Sequence, residues 1–375
     1  MKIETELQHL KHDYNEAKSS VSPIFQCSAF DSNSDYFYSR KNNPNIEELE
    51  KVICCIESSK FSLAFSTGMT AIYITLSLLK PGSHLIINKH IYGCSYKLFQ
   101  KYCERLNINL KIIDLSNESE EEISIKKVDM VIFETPTNPF LKTIDIQKTS
   151  TLVKSINPDA LIIVDNTWAT PLYQNPLTLG ADLTIYSATK YFSGHSDVMG
   201  GIVTTNNALL YEKLLSERFY SGSILSPYSA WLLSRSMKTF SIRMKRHSET
   251  TREIISKLKN RPYIDHIYYP EINDSQLKSY GGIIFIEVPQ HIGSKYNEII
   301  KELKYYGTGT GMACVTSMIA KPYTGSHASM TAEEKKGMGI TENLIRLCFG
   351  LEDPEDLILD LDNAIHKSLK ETSST

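Results

Sequence analysis

The chain has 375 residues, 41% of them hydrophobic, and a formal net charge of −3 with no basic stripe or tail. That length suits one large domain plus a smaller one with a sizeable core, and the mixed charge offers nucleic acid no electrostatic footprint. The seven cysteines are odd in number, with no CxxC pair and no His at ligand spacing, which argues against a disulfide scaffold or a metal site and fits a reducing cytoplasm.

The opening run MKIETELQHLKHDYNEAK is charged and has no apolar centre, so it does not read as a secretory signal. No apolar run approaches membrane-spanning length. Residues 1–45 are polar, irregular and rich in Ser, Asn and Tyr, and read as an arm rather than a packed unit. A helix is expected over Ile46–Ile56. Short Ile- and Val-rich runs then follow: HLIIN (84–88), LKIID (110–114), DMVIFE (129–134), ALIIVD (160–165), DLTIYS (182–187) and GIVTT (201–205). Helix-length stretches such as Met69–Leu79 and Ile146–Ser155 separate several of them. Buried strands joined by helical crossovers predict an α/β domain with a mostly parallel sheet over 46–230. From about Ser226 the pattern changes. The amphipathic stretch 230–260 reads as one or two helices, GGIIFIEV (281–288) and LIRLCFG (344–350) as strands, and a last helix starts at Pro354. That is a smaller C-terminal α+β domain, 231–375. No internal repeat is visible.

The chemistry concentrates at the ends of the predicted strands, where α/β sheets bind ligands. SATKYFSGHSDVMGG (187–201) sets Lys190 just after a strand, where an amine reaches a cofactor aldehyde and the hydroxyls of Ser187 and Thr189 reach a phosphate. Taken alone, Lys190 reads equally as a surface lysine. ALIIVDNTWATP ends in Asp165, which could pair with a protonated pyridine nitrogen or simply cap its strand. FETPTNP (133–139) offers Asn138 as a donor to a phenolic oxygen, or as ordinary Asn-Pro turn chemistry. FSTGMTAIYITL (65–76) places Gly68 and Met69 at a helix start, an anion-binding position or a plain N-cap. Tyr92, in IYGCSYKLF (91–99), could stack on a ring and act as acid or base, or be one structural tyrosine among 21.

These segments, in this order, resemble the Cys/Met-metabolism pyridoxal-phosphate (PLP) enzymes: the cystathionine γ-synthases, γ-lyases and β-lyases and the methionine γ-lyases. The likeness runs from roughly Ser22 to the final helix. SATKYFSGHSD resembles the family's lysine motif, Thr67-Gly68-Met69 its phosphate turn, YGCSY its stacking-tyrosine motif and FETPTNP its E-x-P-x-NP. VDNTWATP (164–171), with Asp165 and Thr167, resembles its pyridine-binding segment. Two further matches extend it. YSRKNNP (38–44) is similar to the family's YTRxxNP, implying that Tyr38 and Arg40 reach the phosphate of a neighbouring subunit. LIRLCFGLEDPEDL (344–357) is similar to the C-terminal motif whose arginine, here Arg346, clamps the substrate α-carboxylate.

The resemblance therefore implies PLP fold-type I (aspartate aminotransferase-like), PLP held as a covalent Schiff base on Lys190, an N-terminal arm crossing between subunits, and an active-site dimer within a homotetramer. It implies no metal, no nucleic acid and no membrane. Lys190 would take the α-proton, Asp165 keep the ring nitrogen protonated, and Tyr92 help the leaving group depart. The sequence departs from the family in the run GMACVTS (311–317) and on to Ser326-His327: Gly311 replaces a serine, Ala313 and Cys314 replace glycines, and Thr316 replaces a glutamate common in cystathionine-processing members. Gly311, Met312 and Thr316 are the expected substrate-side residues of this loop. The expected reaction is γ-elimination or γ-replacement on a sulfur-type or activated-homoserine amino acid. The alternatives are β-elimination, as in cystathionine β-lyase, and a PLP-binding sensor without catalysis.

Overall fold

The computed structural model describes residues 2–9, 19–117 and 127–370. Its centre is a seven-stranded sheet: β1 (Phe61–Phe65), β2 (His84–Asn88), β3 (Asn109–Ile113), β4 (Met130–Glu134), β5 (Leu161–Asp165), β6 (Leu183–Ser187) and β7 (Gly201–Thr205). The strand order is β1-β7-β6-β5-β4-β2-β3. β7 runs antiparallel to both its neighbours, and the other pairings are parallel. Six strands therefore point the same way, and their carboxyl ends share one edge of the sheet.

Both faces of this sheet are covered, which is why its strands read as near-continuous apolar runs. Ile87, Ile132, Ile163 and Ile185 pack into one core. Their alternating neighbours Ile86, Val131, Phe133, Ile162 and Val164 pack into another on the opposite face. The covering helices include α2 (Pro44–Glu57), α3 (Gly68–Leu76), α4 (Gly93–Leu106), α5 (Ile146–Ile156) and α6 (Ala208–Ser221). α2 starts where Asn43 accepts the Asn45 amide at 3.0 Å with Pro44 in the first turn, and stops at Ser58 in the left-handed region.

The second sheet orders as β10-β11-β12-β9-β8, built from β8 (His266–Tyr268), β9 (Ile283–Glu287), β10 (Gly307–Thr308), β11 (Met318–Ala320) and β12 (Leu344–Cys348). One of its faces packs with the final helix, Pro354–Lys370, through Ile284, Leu347, Leu357 and Leu361. The amphipathic stretch 230–260 forms two helices, α7 (Pro227–Met237) and α8 (Phe240–Leu258). The expected domain limit at 230/231 falls inside α7.

Several features went unread in the sequence, among them the short strands β8, β10 and β11 of the second sheet. β1 was missed because FSLAF is only five residues long and runs straight into the turn Ser66–Gly68. Residues 1–45, expected to be an irregular arm, include a helix, α1 (Ile3–His9). Its Leu7 is 2% exposed, and its Gln8 donates to the Lys238 carbonyl at 2.5 Å, on the same chain.

Behind β6 lies a buried carboxyl. Glu57 receives the Tyr186 hydroxyl, Tyr186 in turn accepts from Asn166 at 3.0 Å, and Glu57 Oε1 is left without a partner. Burial pushes the Glu57 carboxyl from 4.5 up to about 8. The folded chain then holds a proton that the unfolded chain loses between those values, so this group's contribution to stability falls as pH rises from about 4.5 to about 8. Glu57→Gln is expected to raise the thermal midpoint relative to the parent at pH 8 and to leave it nearly unchanged at pH 5. Melting curves at the two pH values check this; an equal effect at both contradicts it.

Candidate active site

Five of the six co-directional strands feed one cavity of about 480 Å³ at their carboxyl ends. β1 leads to Thr67, Gly68 and Met69; β2 leads to Tyr92; β4 ends in Glu134 and continues to Asn138; β5 ends in Asp165 and continues to Thr167; β6 ends in Ser187 and continues to Thr189 and Lys190. Arg346 and Met312 close the cavity from the second sheet and the loop before β11.

The turn into α3 is built for close approach. Thr67 caps the helix by accepting the Thr70 amide at 3.0 Å. Among the described residues nothing accepts from the Gly68 and Met69 amides, so two helix-start donors are free to hold an anion. A Cβ on Gly68 would lie 2.9 Å from the Ser187 side chain, and one on Gly201 would lie 2.1 Å from the Thr67 carbonyl oxygen. Only glycines let this turn lie against β6 and β7.

Thr167 ties β5 to β6: its hydroxyl donates to Asp165 Oδ1 at 2.6 Å and accepts the Ser187 amide at 2.8 Å. Glu134 and Asp165 are register partners on adjacent parallel strands. Glu134 accepts the Tyr92 amide at 3.0 Å and the Trp168 indole N–H. Burial, and then the neighbouring Asp165, push the Glu134 carboxyl well up; burial also raises Asp165. Two carboxyls side by side, Glu134 buried and Asp165 half-buried, favour a cation or a shared proton between them and the cavity.

Two cations line the same cavity, Lys190 half-buried and Arg346 buried. Burial, and then the nearby Arg346 guanidinium, lower Lys190 from the usual lysine range. Arg346 is 2% exposed and is held by neutral acceptors alone: the Gly311 carbonyl at 3.1 Å, the Thr310 carbonyl at 3.4 Å and the Met312 thioether at 3.6 Å. Its Nε has no partner, and no carboxylate pairs with it among the described residues. A buried guanidinium without a counter-ion favours an incoming carboxylate strongly. Burial lifts the Tyr92 hydroxyl to about 12, with Cys94 beside it adding to the rise.

The residues fit the cofactor that the sequence resemblance implies. The α3 start presents free amides for a phosphate, Asp165 offers a carboxyl to a protonated ring nitrogen, and Asn138 lines the same cavity with an amide that can donate to a phenolic oxygen. Lys190 would carry the covalent link.

The structure brings Gly68, Met69, Tyr92, Asn138, Asp165, Thr167, Ser187, Thr189, Lys190, Met312 and Arg346 together. It does not bring the others. Gly311 serves through its carbonyl on Arg346, outside the lining. Thr316, expected on the substrate side, is exposed on the turn before β11, where its carbonyl accepts from Cys314 Sγ at 3.2 Å. Arg40 donates to the Phe219 carbonyl at 2.7 Å and lies over the Phe219 ring at 4.4 Å, and Tyr38 beside it is 37% exposed; neither lines this chain's own cavity. Sequence reading passed over Trp168, Ser95, Met199, Thr310 and Ser326, which do line it. Trp168 stood inside the quoted VDNTWATP, and its position next to Thr167 was the available signal.

Comparison with known proteins gives concordant results. The family described as "Cys/Met metabolism PLP-dependent enzyme" matches residues 4–366. A cystathionine β-lyase of Lactococcus lactis subsp. cremoris is 35% identical, over 97% of this chain and 99% of its own. A cystathionine γ-lyase of Bacillus subtilis is 36% identical over the same shares. The crystal structure of a cystathionine γ-synthase from Xanthomonas oryzae pv. oryzae, in complex with aminoacrylate and cysteine, superposes with a TM-score of 0.92 at 29% identity, covering 99% of each chain.

Gly201→Ala is expected to displace the Thr67 carbonyl and loosen cofactor retention, since the obstructing atom is backbone. PLP absorbance per chain after dialysis checks this, with Gly337→Ala, which meets nothing within 4 Å, as the control. Equal retention in the two variants contradicts the cradle.

Proposed function

The chain belongs to the Cys/Met metabolism PLP-dependent enzyme family, and from that membership we propose that it catalyses γ-elimination or γ-replacement on a sulfur-bearing or activated-homoserine amino acid. The observation that carries this is the pairing, in one cavity, of a half-buried amine of lowered basicity with a buried arginine that, among the described residues, lacks a counter-ion. Together they match the α-proton and the α-carboxylate of an amino acid.

When bound, pyridoxal phosphate supplies an electrophilic carbonyl and a ring that spreads negative charge from the substrate's α-carbon. The chain's residues do the rest. Lys190 Nζ would hold the cofactor and, as the free amine, take the α-proton; its depressed basicity keeps the free amine available at lower pH than an ordinary lysine. Arg346 binds the α-carboxylate, its fork steadied by the Thr310 and Gly311 carbonyls. Asp165, oriented by Thr167, would keep the ring nitrogen protonated. Asn138 would donate to the cofactor's phenolic oxygen, and the Gly68 and Met69 amides with the Ser187 and Thr189 hydroxyls would hold the phosphate. Tyr92 would lie against the ring and give a proton to the leaving group; its high proton affinity keeps the hydroxyl protonated for that step. Met312 packs against the substrate beside Arg346.

β-Elimination is the second reading, favoured by the likeness to the Lactococcus cystathionine β-lyase over 97% of the chain. With L-cystathionine, L-methionine and acylated homoserines as substrates, 2-oxobutanoate, or cystathionine formed from an added thiol, supports γ-chemistry; pyruvate moves the assignment to the β-position.

We further propose that residues 46–230 carry the cofactor and 231–375 the substrate side, and that the chain works as an active-site dimer within a homotetramer. Tyr38 and Arg40 would then reach the partner's phosphate, as their position outside their own cavity allows; Phe37 and Tyr220, 70% and 79% exposed, flank them with apolar surface. Among the described residues no helix is long and apolar enough to cross a membrane, and we place the enzyme in the cytoplasm.

Lys190→Ala is expected to abolish turnover together with the visible-edge absorbance of the bound cofactor; turnover in a clean preparation contradicts the role. Arg346→Ala is expected to raise KM on the order of 10- to 100-fold, the loss of a charged hydrogen-bonded pair. Initial-rate kinetics check this, and an unchanged KM removes the clamp.

A further inference from the structure

The segment that follows Lys190 is held by a cation the mechanism does not use. Arg243, on α8, is 4% exposed and pairs with no carboxylate among the described residues. Its guanidinium is spent on backbone: Nη1 donates to the Tyr191 carbonyl at 2.8 Å, and Nη2 to the Ser236 carbonyl at 3.0 Å and the Phe192 carbonyl at 3.4 Å. Nε donates to the Thr239 hydroxyl at 3.1 Å. Two of those carbonyls belong to the residues directly after Lys190. A buried arginine that satisfies three carbonyls from two segments acts as a rigid clasp, because its planar fork fixes directions as well as distances.

The clasp shapes the turn itself. Gly194 adopts φ +68°, and a Cβ there would lie 2.0 Å from Arg243 Nη1. The guanidinium thus occupies the space that the missing side chain leaves. The Gly194 amide donates to the Lys190 carbonyl at 2.8 Å, closing the turn around the lysine. The Gly194 carbonyl accepts the Val315 amide at 2.9 Å. Val315 belongs to the loop whose Thr310 and Gly311 carbonyls hold Arg346. An unbroken path therefore runs from Arg243 to the turn of Lys190, and from Gly194 to the loop of Arg346.

We propose that Arg243 is a positioning residue that fixes Lys190 and, through the Gly194 carbonyl, the loop of the Arg346 clamp, so that the proton-accepting amine and the carboxylate site keep one relative geometry. This rests on the roles given above to Lys190 and Arg346. Placement of that kind is worth much in rate, since misplacing a catalytic group by about 1 Å costs on the order of 100-fold.

The test uses holoenzyme with two substitutions. Arg243→Lys keeps the charge and loses the fork; Thr239→Ala removes the Nε acceptor, together with the Thr239 hydroxyl's bond to the Ser236 carbonyl, but leaves the fork's own carbonyl bonds, and serves as the mild variant should the first fail to fold. Three readouts are taken: kcat per bound PLP alongside KM, the pH midpoint of the cofactor's absorbance without substrate, and amide hydrogen exchange over 187–196 and 310–317. For Arg243→Lys the expected result is kcat per bound PLP lower on the order of 10- to 100-fold, a shifted midpoint, and faster exchange in both segments together. Thr239→Ala should shift the same readouts in the same directions by less. Values of kcat per bound PLP within about twofold of the parent, with unshifted midpoints, would reduce Arg243 to a packing residue. Faster exchange in 187–196 alone would break the link through Gly194. The absorbance and exchange readouts need no substrate, so an error in the proposed reaction would show as a parent enzyme without turnover and leave them standing.

Discussion

Four ionisable groups gathered around one cavity, Glu134 and Arg346 buried and Lys190 and Asp165 half-buried, are the constraint on which this structure depends. Lys190 and Arg346 share it with Glu134 and Asp165, and removal from water displaces Lys190 and both carboxyls from their ordinary ionisation. Charges taken out of water are costly unless paired or hydrogen-bonded. The fold meets part of that cost with neutral donors and acceptors: Thr167 on Asp165, Trp168 and the Tyr92 amide on Glu134, three loop acceptors on Arg346. What is left over defines the ligand: an anion for the α3 amides, a protonated nitrogen for the carboxyls and a carboxylate for the arginine.

The parallel sheet makes that gathering possible. Because six strands run in one direction, residues far apart in sequence arrive at one edge. The second sheet contributes from β12 and from the loops before and after β11. The loop before β11 is also where the chain departs from its family. Ala313 sits at φ +59°, in the left-handed region that favours glycine. Cys314 turns inward onto the Thr316 carbonyl. A non-glycine residue held there stores on the order of 1 kcal/mol of strain, and the loop bearing it also holds Arg346. Altered residues thus act here through the path of the backbone as well as through side chains in the cavity.

Much of this was legible in the sequence, for a physical reason. Strands buried on both faces leave dense Ile and Val runs, and the cofactor-side residues lie immediately after those runs, so position along the chain translates into position in space. Lys190, Asp165, Asn138 and Tyr92 were each found at a strand end, and Gly68 at a helix start. The contacts that escaped depend on the meeting of distant segments. Thr310 and Ser326 enter the cavity through the folding of an irregular loop, which no periodicity encodes. Thr316 was expected inside by family position, yet its turn faces solvent. Arg243 sits in an amphipathic helical stretch, where nothing local distinguishes a buried arginine from a solvated one. α1 read as part of a loose arm, since a seven-residue helix with one buried leucine leaves little pattern.

The central claim is that Lys190 carries the cofactor. Reduction of the PLP-loaded protein with borohydride, followed by peptide mapping, tests it most directly, because reduction fixes the linkage where it stands. The account predicts the pyridoxyl mass on the peptide containing Lys190 and on no other lysine. Label on another lysine, such as Lys321 at the rim of the second sheet, or no covalent label at all, would contradict it.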